Sequence, residues 1–425
     1  MLLRKRKTIL ALCMLLILLL TSRVTDVKAA VNNGEVYPVA TNAIEGWPQG
    51  PEITSETGVV MEVEPGAVVY DKGMNEARYP ASITKILTTL LALENSSLTD
   101  VVTFTETGLH DMALGTNVGM QVGEQLTMEQ CLYLIMIQSA NEVSTQVAEF
   151  VGGTEANFID MMNAKAAELG CTNTHFSNAN GLPADDHYST AYDMALIYRE
   201  ALKNEEFRKI SSTLSYTVGP TNMNAQSRTV TSHHAALVPN TLEYYEGCFG
   251  GKTGYTDAAK RTLVTGACRN DIEYIVVLMR AEIAPIYAET SQLFDYAFSN
   301  FLKTDLEGGA VVYPNTLTVD ALQTKTEETE DQETTQYFYQ DHFLGQSVVE
   351  TSVQQQTTGT DDTTQGAADT TELQTQEQPQ TQSNFGTILM VLLIVVGVLL
   401  LFFIIWTILR IRKKNRRRRR RQKLY

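Results

Sequence analysis

Strand-like and helix-like patterns of apolar residues alternate along the middle of the chain. Between Ile53 and Leu302 these segments follow one another with only short turns. The segments Gly66 to Tyr70 and Tyr274 to Met279 are predicted to be strands, and a further strand is predicted around Val311 to Val319. The segment Glu289 to Phe301 is predicted to be a helix, because its apolar residues recur at turn spacing. This alternation of strand-like and helix-like segments with short turns is typical of a compact α/β or α+β domain.

The N-terminus has the pattern of an export signal. Basic residues at 4–7 precede an apolar stretch from Ile9 to Leu20, and a short polar segment then ends in Ala29-Ala30. This order of basic, apolar and small residues predicts a signal peptide over residues 1–30. Residues 31–52 are interpreted as a leader that precedes the globular part of the chain.

The composition changes after the globular domain, which is predicted to occupy residues 53–305. A short strand remnant is predicted over 306–323. Residues 324–384 are mostly Thr, Gln, Glu and Asp, and are predicted to form a flexible tether because they cannot bury enough apolar surface to offset their ordering entropy. A nearly continuous apolar run predicts a transmembrane helix over 385–409, followed by a basic cytoplasmic tail over 410–425.

Charge and cysteine content argue against several classes of protein. The chain has 33 basic and 49 acidic residues, and its basic residues crowd at the C-terminus. An acidic surface repels phosphate backbones, so nucleic acid is not an expected partner, and the basic run after the transmembrane helix is interpreted as a topological signal. The cysteines outside the signal peptide form no Cys-x-x-Cys pair, which favours free thiols over a zinc or redox site and leaves their disulfide state open. These cysteines are Cys131, Cys171, Cys248 and Cys268.

The first candidate for chemistry is the segment Pro80-Ala-Ser-Ile-Thr-Lys85, which opens a helical pattern. Three-residue spacing on a helix places Ser82 and Lys85 on the same face. A serine becomes a good nucleophile when a neighbouring base takes its proton, and a lysine serves as that base if its surroundings lower its pKa. Taken alone, Ser-x-x-Lys is a weak signal, because an exposed helix pair is the preferred explanation of the motif by itself.

Two further segments are polar where a core would be apolar. Ser139-Ala-Asn141 follows an amphipathic helix that begins near Thr127, where Thr127 and Gln130 have the spacing of a capping box. Gly250-Gly-Lys-Thr-Gly-Tyr-Thr256 combines glycines, which let a strand lie close to a ligand, with a lysine and a threonine suited to a carboxylate. Either segment alone has an ordinary structural explanation.

The order and separation of the three segments make a specific signal. Ser139 lies 57 residues and Lys252 lies 170 residues after Ser82, which is the motif set of penicillin-binding proteins and β-lactamases with Ala140 in place of an aspartate. The chain resembles the serine D-alanyl-D-alanine carboxypeptidase family over roughly residues 53–301. Further segments also resemble that family, namely Arg78 to Lys85, Gln138 to Asn141, Asn180 to Pro183, His187 to Ala195 and Lys252 to Asp257.

The resemblance implies a fold and a set of roles. It implies a five-stranded antiparallel sheet flanked by helices, with a mostly helical subdomain across the cleft. Ser82 would be the acyl-ester nucleophile and Lys85 its general base, and Ser139 would relay a proton to the leaving group. Asn141, Lys252 and Thr253 would bind the substrate, and the backbone N–H groups of Ser82 and Tyr255 would bind the oxyanion. The implied substrate is a peptidoglycan stem peptide, with β-lactams as inhibitors and with neither a metal nor an organic cofactor.

The signal peptide, the apolar run and the basic tail predict an enzyme held at the bacterial cytoplasmic membrane by one transmembrane helix, with its catalytic domain outside the cell. A serine β-lactamase is an alternative, but the expected Glu-x-x-Leu-Asn is missing between Asn141 and Lys252. A penicillin sensor without enzymatic activity is another, for which the basic tail is too short to form a signalling domain. The chain departs from the family at Ala258 to Arg261, and it replaces the second domain of many relatives with the strand remnant and the tether. His187 is expected to hold a loop or a helix start rather than to act in catalysis.

Overall fold

The computed structural model describes residues 31, 33–110, 112–282, 285–329 and 331–350. The strands are β1 (Thr57–Glu62), β2 (Val68–Lys72), β3 (Val101–Thr103), β4 (Gln125–Thr127), β5 (Ser215–Val218), β6 (Arg228–Thr231), β7 (Cys248–Thr256), β8 (Lys260–Arg269), β9 (Ile272–Ala281), β10 (Phe301–Leu306), β11 (Gly309–Pro314), β12 (Gln323–Glu328), β13 (Gln332–Tyr339) and β14 (His342–Glu350). The α-helices are α1 (Lys85–Asn95), α2 (Glu106–Leu109), α3 (Met128–Tyr133), α4 (Asn141–Gly152), α5 (Glu155–Glu168), α6 (Ala191–Ala201), α7 (Glu205–Ser211) and α8 (Ile286–Asn300). A π-helical turn covers Leu134–Gln138, and 3-10 turns cover Ala40–Ala43, Ala81–Thr84, Ala235–Leu237 and Val319–Ala321.

A five-stranded sheet in the order β2-β1-β9-β8-β7 forms the centre of the molecule, and all of its pairings are antiparallel. Side chains alternate across β9, so that Ile275, Val277 and Met279 enter the core shared with the helical subdomain. Tyr274 belongs to the other core, beneath α8. Burial on both faces explains why this strand reads as a continuous apolar run. The predicted fold class is confirmed.

The helical subdomain packs around α1, whose apolar residues are buried from Ile86 to Leu91. The predicted capping box at the start of α3 is confirmed. The Thr127 hydroxyl accepts from the Gln130 amide at 3.2 Å, and the Gln130 side chain accepts from the Thr127 amide at 2.9 Å. This cap fixes where the helix begins, and therefore where its far end meets the cleft.

The prediction of a strand remnant over 306–323 and of a tether from 324 is wrong as far as residue 350. The chain from Phe301 to Glu350 forms a second antiparallel sheet in the order β10-β11-β14-β13-β12. All residues of β12 are exposed, so its composition carries no burial signal and backbone pairing with β13 defines it. Leu344 on β14 is fully buried and connects this sheet to the core beneath α8.

The predicted leader over 31–52 is an ordered part of the fold in its C-terminal half. Trp47 is 3% exposed, and its indole N–H donates to the Val69 carbonyl at 3.1 Å. Its ring centroid lies 5.2 Å from that of Phe301 and 4.8 Å from that of His342. Trp47 therefore joins the central sheet to the second sheet.

Several predicted segments lie outside the described residues. These are the signal peptide at 1–30, the remainder of the tether at 351–384, the transmembrane helix at 385–409 and the basic tail at 410–425. Among the residues that the structure describes, none of the helices has the length and apolar character needed to cross a bilayer.

Candidate active site

Ser82 lies in a tight turn that directly precedes the N-terminus of α1. The turn is a single stretch of 3-10 helix over Ala81–Thr84, and α1 begins directly after it at Lys85. Ala81 has a φ of +52°, a left-handed conformation that is unfavourable for a residue with a Cβ. The turn presents the half-buried Ser82 to the cleft, while the side chains on either side of it are buried.

Two glycines allow other segments to approach this turn. A Cβ on Gly254 of β7 would lie 2.9 Å from the Ser82 amide nitrogen, so the strand and the nucleophile's backbone are in close contact. A Cβ on Gly181 would overlap the Ala81 carbonyl, and Gly181 also has a φ of +87°. Both positions therefore require glycine for steric reasons.

Replacing Gly181 with alanine is expected to destabilise the protein by about 2–4 kcal/mol and to slow acylation at Ser82. The first effect combines left-handed strain with overlap against Ala81, and the second follows because the displaced turn carries the nucleophile. Gly170→Ala is the matched control, because Gly170 has a φ of +82° but an open environment. Urea unfolding and the penicillin acylation rate measure the two effects. Equal losses in both variants would show that backbone conformation alone matters.

Lys85 is fully buried and lies within hydrogen-bonding distance of three oxygen atoms. Its Nζ is 3.1 Å from Ser82 Oγ and 2.8 Å from Asn141 Oδ1, and it also donates to the Asn180 carbonyl. Asn141 Nδ2 donates to the Leu114 carbonyl at 2.6 Å, which identifies the amide oxygen as the atom facing Lys85. The side chain of Asn141 is thus fixed on both sides.

The segment Ser139-Ala-Asn141 lies between two helical elements. After the π-helical turn Leu134–Gln138, Ser139 adopts a left-handed conformation with a φ of +64°, and α4 begins at Asn141. Ser139 Oγ accepts from Lys252 Nζ at 3.0 Å, and its side chain is buried. The break in the helix therefore directs Ser139 towards Lys252 and Asn141 towards Lys85.

Lys252 extends from β7 into the cleft wall and is 2% exposed. Its Nζ also donates to the Thr253 carbonyl at 2.9 Å. Burial lowers the pKa of Lys252 to about 7, because water no longer solvates the ammonium form. Thr253 is half-buried beside it. Half of the Tyr255 side chain is exposed, and its hydroxyl donates to Asp257 Oδ1 at 3.2 Å.

Ser82, Asn141 and Tyr255 line an open cleft of about 440 Å³. Its walls come from three loops and from the serine turn, and they consist of Ser82, Gly115, Thr116, Asn141, Asn180, Gly181, Leu182, Pro183, Tyr255, Thr256, Asp257 and Ala258. Lys85 lies beneath this surface. A second cavity, of about 420 Å³, lies beside Glu62, Arg208 and Lys303. Two of its cations pair with carboxylates that also line it, Arg208 with Glu273 and Lys303 with Glu62. Its four basic residues are matched by four acidic ones.

Sequence reasoning missed Asn180 as a residue of the site. Its carbonyl accepts from Lys85, and its side chain donates to Thr145 Oγ1 at 3.1 Å. The resemblance includes the segment Asn180 to Pro183, but a main-chain contact leaves no requirement for a particular side chain. The signal available in the sequence was the dipeptide Asn180-Gly181, which is typical of a turn.

His187 lies beside the serine turn without lining the cleft. His187 is buried, with one ring nitrogen 2.9 Å from Thr84 Oγ1 and the other accepting from the Ser177 amide at 3.1 Å. Burial lowers the pKa of His187 to about 3, so the ring is neutral and holds the serine turn against the 177–183 loop. In the described ranges no three His, Cys, Asp or Glu side chains are grouped to hold a metal, and the four described cysteines are free thiols.

A serine beside a buried lysine, faced across a cleft by a Lys-Thr-Gly strand, is the arrangement of serine enzymes that recognise penicillin. A family model described as D-alanyl-D-alanine carboxypeptidase (peptidase S11) matches residues 45–283, more than half of the chain. The chain belongs to this family, and the resemblance found in the sequence is confirmed.

Relatives in three bacterial genera agree with this assignment. D-alanyl-D-alanine carboxypeptidase DacF of Bacillus subtilis is 34% identical over 254 residues, which cover 58% of this chain and 63% of the relative. The match therefore spans less than two thirds of that relative's length. DacB2 of Mycobacterium tuberculosis is 32% identical over 277 residues, which cover 63% of this chain and 88% of the relative. DacC of Escherichia coli is 28% identical over 271 residues, which cover 61% of this chain and 65% of the relative.

Solved structures share the fold. The crystal structure of a D-alanyl-D-alanine carboxypeptidase from Mycobacterium tuberculosis superposes with a TM-score of 0.56 at 28% identity, covering 63% of this chain and 99% of that one. The crystal structure of the Streptomyces K15 DD-transpeptidase superposes with a TM-score of 0.56 at 27% identity, and the match covers 59% of this chain and 99% of that one. The crystal structure of the D-alanyl-D-alanine carboxypeptidase DacD from Francisella tularensis is 22% identical, and the match covers 72% of this chain and 94% of that one with a TM-score of 0.59. At this identity the similarity shows a shared fold alone.

Proposed function

We propose that this protein is a serine D,D-carboxypeptidase that removes the terminal D-alanine from peptidoglycan stem pentapeptides through an acyl-enzyme on Ser82. The hydrogen bonding of Lys85 is the observation that carries the proposal. A neutral amine has two N–H donors and one lone pair. Lys85 Nζ donates to the Asn141 amide oxygen and to the Asn180 carbonyl and lies 3.1 Å from Ser82 Oγ, so a neutral Lys85 is placed to take the Ser82 proton on its lone pair.

Acylation follows from this geometry. Ser82 Oγ attacks the carbonyl carbon of the last peptide bond while its proton passes to Lys85 Nζ. The carbonyl oxygen becomes an oxyanion, which the N–H groups of Ser82 and Tyr255 stabilise, since Gly254 brings β7 against the serine turn. The carbon–nitrogen bond then breaks as Ser139 gives its proton to the leaving amine, and the proton that Lys85 took from Ser82 returns to Ser139, which leaves Lys85 neutral again. Asn141 holds Lys85 and the substrate amide in register.

Substrate binding is assigned to the Lys252 end of the cleft. The terminal carboxylate of the peptide binds the Lys252 ammonium and the Thr253 hydroxyl. The positive charge of Lys252 disfavours a second charge on Lys85, which supports its role as a base. Water then attacks the acyl-enzyme, releases the shortened peptide and restores Ser82. No step requires a metal or an organic cofactor.

The test offers the purified protein a stem pentapeptide ending in D-Ala-D-Ala and, separately, a β-lactam. Free D-alanine and the tetrapeptide are expected in equal and catalytic amounts, whereas about one equivalent of the β-lactam is consumed before hydrolysis slows. Rapid β-lactam turnover without D-alanine would identify a β-lactamase instead. Stable acylation without any peptide turnover would identify a penicillin sensor.

We also propose that the enzyme acts outside the cell and is held at the membrane by residues 385–409, with the basic tail inside. The support is the length of this apolar run and the basic residues that follow it. Protease added to intact protoplasts is expected to remove the catalytic domain and to spare an epitope placed on the tail. Protection of the domain would reverse this topology.

A further inference from the structure

One carboxylate lies in the wall of the cleft, directly after the end of β7. Asp257 is the only charged residue among the twelve that line the described cleft. It is exposed, and within the described part of the chain its side chain has one hydrogen-bond partner, the Tyr255 hydroxyl at 3.2 Å. No ion pair within 4.0 Å is found for it among those residues. This carboxylate is therefore available to a cation from outside the protein.

The turn that carries Asp257 is held firmly. The Ala259 amide donates to Thr256 Oγ1 at 3.0 Å, and Arg280 Nη1 donates to the Ala258 carbonyl at 2.6 Å. Arg280 in turn pairs with Glu56 at 2.8 Å. Lys260, which closes the turn and opens β8, has a φ of +56° although it carries a side chain. The departure from the family after Asp257 thus leaves β7 and β8 paired, and the turn fixes the position of Asp257.

The distance along β7 matches the length of a short peptide. β7 is the outer strand of its sheet, so an extended peptide can lie along its open edge. Thr253 and Thr256, the last residue of β7, are three residues apart, which is roughly 10 Å in a strand, and Asp257 follows directly in the turn. A peptide with its carboxylate at Thr253 and its scissile carbonyl at Ser82 runs towards Asp257. The third residue from the C-terminus of this peptide lies roughly 7 Å from the last residue along the strand direction. A side chain with four carbons and a terminal amine covers the remaining distance to Asp257.

We propose that Asp257 is a specificity-determining residue that binds a free ammonium group on the side chain of the third residue from the C-terminus of the substrate peptide. The inference rests on the proposed function and adds its substrate class. The preferred peptides carry an unmodified amine at this position, and the enzyme discriminates against those in which that amine is acylated. Acylation removes the charge and therefore the attraction.

The test compares two pentapeptides that end in D-Ala-D-Ala and differ only in their third residue, L-lysine or Nε-acetyl-L-lysine. For the native protein, kcat/KM for D-alanine release is expected to be about two- to fivefold higher with lysine, as for an exposed ion pair, and the ratio should shrink as salt is raised. Asp257→Asn is expected to abolish this ratio. Asp257→Lys is expected to invert it, because the new charge repels the ammonium group.

Asp271→Asn is the matched control, since it removes the same charge from an exposed position in the turn between β8 and β9. It is expected to keep the native ratio. Acylation by benzylpenicillin, which carries no ammonium group, reports whether Ser82 remains competent in each variant.

The two proposals fail in different ways. Equal release of D-alanine from both peptides by the native protein, or a ratio that persists in Asp257→Asn, overturns the role of Asp257 and leaves the carboxypeptidase intact. If neither peptide releases D-alanine, the proposed function fails. Protection of Ser82 from fluorescent penicillin by the two peptides then decides the role of Asp257: stronger protection by the lysine peptide supports it, and equal protection overturns it.

Discussion

Ser82→Ala is expected to abolish labelling by fluorescent penicillin and to lower kcat for D-alanine release by roughly 10⁴-fold or more. Without the hydroxyl there is no atom to form the acyl bond, although Lys85 and the remainder of the cleft are still present. The fold should survive, because Ser82 is only half-buried and the substitution removes a single oxygen atom. Gel fluorescence, peptide mapping of the adduct and steady-state kinetics measure these outcomes.

Ser299→Ala is the control for this substitution. Ser299 is exposed near the end of α8, far from Ser82 along the chain, and its loss should leave labelling and turnover unchanged. Thermal unfolding of both variants should resemble that of the native protein. An adduct mapped to Ser139 or to any other residue in the native protein would refute the assignment of Ser82 as the nucleophile.

The three chemical segments could be located from the sequence because each constrains a short stretch of chain. Ser82 and Lys85 are three residues apart at the start of one helix, so their contact is a local property. The contacts between segments could not be derived in this way. That Ser139 pairs with Lys252 while Asn141 pairs with Lys85 depends on a π-helical turn and a left-handed serine, neither of which has a signature in the residues themselves.

The second sheet shows the opposite limit of sequence reasoning. Its outer strand β12 is polar throughout, and Thr and Gln dominate much of the chain after residue 323, so composition resembled that of a tether. The sheet is stabilised by backbone pairing and by a few side chains, such as Leu344 and Tyr339, that pack towards Trp47. Trp47 lies almost 300 residues earlier, and a contact at that separation cannot be read from local periodicity.

Lys252 predicts a pH dependence of substrate binding. Because burial lowers its pKa to about 7, its ammonium form is the main species at pH 6 and a minor one at pH 8. Only that form attracts a carboxylate, so KM for a peptide with a free C-terminus is expected to rise roughly tenfold between pH 6 and pH 8. Neighbouring His234 does not interfere, because burial holds its pKa at about 4 and the ring stays neutral in this range.

Stability should respond to pH in the opposite direction. The pKa of Lys252 is lower in the folded state than in the unfolded chain, where it is about 10.4. Between these two values the unfolded chain binds more protons, so the contribution of Lys252 to the free energy of unfolding rises with pH from about 7 to about 10. Urea unfolding at several pH values, compared between the native protein and Lys252→Gln, isolates this contribution.

Lys252→Gln is expected to lower kcat/KM by roughly 10- to 150-fold at pH 6, because a charge-assisted hydrogen bond to a carboxylate contributes about 1.5–3 kcal/mol. Its KM should be nearly constant from pH 6 to pH 8, since glutamine does not titrate. A peptide whose C-terminus is amidated should show the same flat profile with the native protein, because it offers no charge to Lys252. If KM of the native protein for the free peptide is also flat over this range, Lys252 is not the charged partner of the substrate carboxylate, and Thr253 with the main chain of β7 must bind it instead.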